Sequence, residues 1–109
     1  PHMHALGTHF GANIVGGPDD GKVFLDQKGY DPDGAIRTFD PPVDLTGSDG
    51  VQFSCTWNNT FDKTIVEGIG DNEMCMLFGY AFPVTHAFSA FATPGGSCVE
   101  VLAPDPNQP

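Results

Sequence analysis

Val51-Gln52-Phe53-Ser54-Cys55-Thr56-Trp57 alternates between two kinds of residue: Val51, Phe53, Cys55 and Trp57 share one parity, while Gln52, Ser54 and Thr56 share the other. Successive side chains of a strand leave opposite faces, so this stretch reads as a strand packed on one side and facing solvent or a partner on the other. Turn residues bracket it, Gly47 to Gly50 before and Asn58-Asn59-Thr60 after. Further on, residues 64–69 predict a short strand and Gly70-Asp71-Asn72 a turn. Residues 73–82 are apolar at even positions (Met74, Met76, Phe78, Tyr80, Phe82) and also at odd ones (Cys75, Leu77, Gly79, Ala81), which predicts a central strand covered on both faces.

Working back from the same strand, residues 2–8 alternate well enough to be extended, and Gly11, Gly16, Gly17, Pro18 and Gly21 mark a long irregular connection. A second strand is predicted over 22–27. Asp31-Pro32-Asp33-Gly34 is a strong turn signal, with residues 35–39 extended up to Pro41-Pro42. Past Pro83 the chain reads as an irregular return with one short strand near 98–102.

Composition agrees with an all-β fold. Fourteen Gly and ten Pro interrupt the chain, and no stretch keeps helical apolar spacing long enough for a stable helix. With 109 residues and 39% hydrophobic content there is material for one modest core. The single domain is read as residues 1–103, trimmed at its N-terminus, with a disordered Pro-rich tail over 104–109. No signal peptide or membrane-spanning apolar run is present. Fourteen acidic against four basic residues give a formal charge of −10, which repels nucleic acid and anionic membrane surfaces as partners.

Cys55, Cys75 and Cys98 allow three single pairings, and an odd count leaves one thiol over. A disulfide in a small acidic domain points to an extracytoplasmic compartment, secreted or periplasmic.

His2-Met3-His4 sets two imidazoles at i and i+2, a spacing that in a strand sends both rings off one face toward a common ion. The continuation His2-Met3-His4-Ala5-Leu6-Gly7 resembles the His-x-His-x-x-Gly segment of the copper type II, ascorbate-dependent monooxygenases, the family of dopamine β-monooxygenase and peptidylglycine α-hydroxylating monooxygenase. Cys55-Thr56-Trp57-Asn58-Asn59 is similar to the family's Cys-x-Tyr-Asn segment. Asp71-Asn72-Glu73-Met74-Cys75, followed by Tyr80 and Pro83, is similar to its Glu-Met-Cys signature and aromatic-Pro ending. The resemblance covers residues 2–83.

That resemblance implies a jelly-roll-like antiparallel β-sandwich, the C-terminal of the family's two copper domains. It implies one copper ion held by His2, His4 and Met74, where oxygen is bound and substrate hydroxylated, and a Cys55–Cys75 disulfide. The chemistry of the implied ligand set is consistent: two neutral imidazoles and a soft thioether favour copper, Cu(I) above all, and leave room for an exogenous fourth ligand.

The departures from the family bear on function. Its full enzymes carry a second copper on three histidines upstream, and that domain is absent from this sequence. Hydroxylation by O2 takes two electrons from the enzyme and one Cu(I) supplies one, so an upstream copper domain or other electron donor is implied as partner. Family members that process peptides carry polar residues two and four places after the methionine. Here those places hold Met76 and Phe78, which makes them substrate-face candidates for O2 or a small apolar ligand.

Other residues carry less. By strand parity His9 falls opposite His4 and reads as a surface group, His86 reads as a solvated loop histidine, and Asp31-Pro32-Asp33-Gly34 lacks the later ligands of a calcium loop. Two functions from different classes follow: a monooxygenase-like, oxygen-reactive copper domain, or a non-catalytic copper-binding protein for transport, storage or sensing. A β-sandwich interaction module is a third reading. Ascorbate-driven oxygen uptake separates the first from the second, and copper titration separates both from the third.

Overall fold

The computed structural model describes residues 1–32, 36–81, 86–92 and 98–101, with side chains placed over 1–32 and 36–80. Six strands run β1 (Gly7–Val15), β2 (Val23–Lys28), β3 (Gly50–Trp57), β4 (Met76–Ala81), β5 (His86–Ala92) and β6 (Cys98–Val101). They form two antiparallel three-stranded sheets, β2-β1-β3 and β4-β5-β6. No helix occurs among the described residues, as the Gly and Pro content predicts. The tail over 104–109, with Asp33, Gly34, Ala35, Phe82 and Pro83, lies outside the described residues.

β1 is the spine of the first sheet. Phe10, Ala12 and Ile14 point inward and are at most 2% exposed, while Thr8 between them and the turn is exposed. Ala12 is flanked in register by Leu25 of β2 and Phe53 of β3, both buried. The Phe10 and Phe53 rings stack nearly parallel with centroids 5.8 Å apart. Cys75 and Leu77 join this same buried cluster, so the segment around the start of β4 closes over the inner face of the first sheet.

The parity read in β3 holds: Phe53 is buried, Val51 and Cys55 pack against the core, and Gln52 and Ser54 are outside, with Trp57 emerging at the strand end. Several boundaries differ from expectation. β1 begins at Gly7 and runs through Gly11, because two neighbours supply a complete ladder for a residue that has no side chain to bury. Residues 64–69 form no strand; one parallel bridge, Glu67 with Glu73, is all that pairs there. The stretch expected to be central and doubly covered is the edge strand β4, with Phe78 and Tyr80 open to solvent at 52% and 86%. Its outer apolar residues are surface, not a second core. The return after residue 83 is more regular than predicted, with β5 and β6 both pairing.

Candidate metal centre

The six residues before β1 form an arm laid against the start of β4 and the residues just before it. His2 and Met76 exchange both backbone hydrogen bonds, 2.7 Å from the His2 N–H to the Met76 carbonyl and 3.0 Å in return. Met3, next along, is buried in the cluster that holds Cys75 and Leu77. Alternation then sends His2 and His4 to the other face, and by the same parity Met74, Met76 and Phe78 lie on the face opposite Cys75 and Leu77. The rings bear this out: His2 sits edge-on to Phe78 at 6.5 Å between centroids and edge-on to His4 at 5.2 Å.

The two imidazoles are therefore neighbours, but no continuous strand over 2–8 brings them together. The chain turns at Ala5–Leu6, closed by the Gly7 N–H donating to the His4 carbonyl at 3.0 Å. Gly7 leaves room for the Met3 side chain, since a Cβ there would lie 2.9 Å from the Met3 sulfur and 3.0 Å from its Cβ. That contact is a physical reason for the glycine that closes the His-x-His-x-x-Gly segment.

His4 is held at both ends. Its Nδ1 lies 2.7 Å from the Asn72 carbonyl oxygen, which cannot donate, so Nδ1 carries a proton and in the neutral ring Nε2 is the nitrogen with a free lone pair. Its backbone N–H donates to Glu73 Oε2 at 2.9 Å, and the Leu6 N–H donates to Oε1 of the same carboxylate at 2.7 Å. Glu73 is 5% exposed. Sequence reading passed over it, although its place before Met74 in the Glu-Met-Cys segment was the available signal. His2 is exposed; partial desolvation, then the neighbouring His4 and the chain's amino terminus, lower its pKa from the ordinary imidazole value, with Glu73 opposing.

Met74 is half-buried and stands two residues before Met76, the residue that pairs with His2. Among the described residues no group of three or more His, Cys, Asp and Glu converges. His9 does not join them: its Nε2 pairs with Asp26 Oδ1 at 2.5 Å, a contact that lowers the Asp26 pKa. The backbone of His86 begins β5, paired with Ala81, in place of the expected loop.

Cys55 of β3 and Cys75 are disulfide-bonded with Cα atoms 5.8 Å apart, tying the first sheet to the segment that carries Glu73 and Met74. Cys98 opens β6.

Residues 1–93 match the family model of the copper type II ascorbate-dependent monooxygenase C-terminal domain. The chain belongs to this family. No curated protein and no solved structure matches it significantly. The family is copper-dependent, and family and disulfide together point to an extracytoplasmic setting. No helix among the described residues is long and apolar enough to cross a membrane.

Proposed function

We propose that this domain holds one copper ion through His2, His4 and Met74 and serves as the oxygen-binding, substrate-hydroxylating half of an ascorbate-dependent monooxygenase. The observation that carries the reading is the pair of imidazoles 5.2 Å apart, with the His4 tautomer set by the Asn72 carbonyl, on an arm bridged to the strand that follows Met74. Two neutral nitrogens and one thioether suit Cu(I), since imidazole and soft thioether donors select copper over hard, oxygen-seeking cations. Bound copper would supply one electron and a site for O2; the rest of the task falls to the chain. Asn72 and the arm's turn orient His4, Met3 and the disulfide anchor the ligand-bearing segments to the core, and Met76 and Phe78 offer an apolar face beside His2.

That face suits a small apolar substrate in preference to a charged one. The second electron comes from an upstream three-histidine copper domain or a separate donor. In this reading the two sheets are the layers of a jelly-roll-like sandwich, and the protein is secreted or periplasmic, acting away from nucleic acid and from membranes. The decisive experiment is copper titration followed by ascorbate-driven oxygen uptake with an electron donor and candidate apolar substrates. One bound copper, lost in His4→Ala, with uptake coupled to hydroxylated product supports the proposal. Copper binding without coupled uptake overturns the catalytic part, and no copper binding overturns all of it.

A further inference from the structure

In an antiparallel ladder the pairs that exchange two hydrogen bonds recur every second residue. After His2 with Met76, the next such pair along the arm is His4 with Met74. It does not form. The His4 N–H goes to the Glu73 carboxylate at 2.9 Å, and the His4 carbonyl accepts from Gly7 at 3.0 Å. The ladder stops at the level of the two residues assigned above as ligands, and a buried side chain stands where a Met74 carbonyl would have been the acceptor.

We propose that Glu73 is a positioning residue of the copper site, fixing His4 for coordination by substituting for the missing ladder pair. This rests on the ligand reading above. Its carboxylate spans the turn, accepting from His4 at one oxygen and from Leu6 at the other, so the arm is held at both ends of the bend. Glu73 itself is clamped through its main chain, donating to the Val66 carbonyl at 3.2 Å and accepting from the Gly68 N–H at 3.1 Å. With 5% exposure, water competes poorly for these charge-assisted bonds. Adjacent residues thereby seize His4 twice, Asn72 by the ring and Glu73 by the main chain. Orientation of a ligand imidazole needs both, because a ring bond alone leaves the backbone free to swing.

Cu(I) competition titrations and nitrogen-resolved NMR of the metal-free protein, on wild type, Glu73→Gln, Glu73→Asp and Ile14→Val, test this. Gln keeps the shape but faces one N–H with a donor; Asp is one methylene shorter and reaches one N–H but not both. Ile14→Val is a buried-core control away from the arm. Glu73→Gln should weaken Cu(I) binding about tenfold to hundredfold and remove the slowly exchanging His4 Nδ1–H signal, with Asp intermediate and the control unchanged in both. If Gln does not fold, Asp carries the test. Unchanged affinity with the His4 signal intact overturns the role, as does an equal loss in Ile14→Val, which would mean general loosening. Should wild type bind no copper, the ligand reading fails on its own, and the His4 signal still decides Glu73: kept in the variants, the role is overturned; lost, it stands.

Discussion

His2 and Met76 form a doubly hydrogen-bonded pair, 2.7 Å and 3.0 Å, which ties the arm bearing the imidazoles to the first residue of β4, two places after Met74. Met76 is thus a backbone anchor for the arm, while Met74 stands two residues before it and outside that pair. Truncating each side chain separates the two roles, because the anchor uses only main-chain atoms. Met74→Ala should weaken Cu(I) binding by tenfold or more and Cu(II) binding less, the thioether being a soft donor; Met76→Ala should change neither appreciably. Chelator competition in both oxidation states checks it. Equal losses for the two variants would remove Met74 from the ligand set.

The lowered pKa of His2 has a defined sign. Folding favours its neutral ring, so the contribution to stability is fully present above the unfolded imidazole value of about 6.5 and is lost as pH falls through the folded value. In the metal-free protein His2 should titrate below 6.5 by NMR. Because His4 is the second cause after burial, His4→Ala should move the midpoint back upward. A His2 midpoint at or above 6.5 would contradict this electrostatic account.

Gly7→Ala tests the packing of the arm. The added methyl meets Met3 at its Cβ as well as its sulfur, and Cβ cannot swing aside as a side-chain tip can. Overpacking of this kind costs about 1–3 kcal/mol. Copper affinity should fall alongside stability, since Met3 sits between the two histidines. Denaturant unfolding and copper titration of one variant suffice, and a neutral substitution would show that the arm has slack.

Removing the disulfide as Cys55→Ala with Cys75→Ala should lower stability by about 3 kcal/mol in the chain-entropy treatment of a loop this long. The sequence separation is 20. Cys75 is also 2% exposed and part of the core, so the packing loss adds to the entropic one. Urea unfolding against wild type measures the difference; a loss well below 1 kcal/mol would mean that packing alone holds β3 to the start of β4.

Much of this was readable from composition and alternation. The all-β class follows from Gly, Pro and period-two stretches, and β3 from the parity of Val51 to Trp57, because strand periodicity is a local property of the chain. The histidine pair, the disulfide partners and the copper family were legible from three short segments in order. Tertiary structure alone decided the rest. Whether the apolar residues of β4 are core or surface depends on which elements lie over them, and Phe78 and Tyr80 proved exposed. That His9 belongs to Asp26 and not to the metal centre depends on the neighbouring strand. The grip of Glu73 on His4 and Leu6 joins residues 67 and 69 positions apart, a contact that no local pattern encodes and only the folding of the arm onto the start of β4 creates.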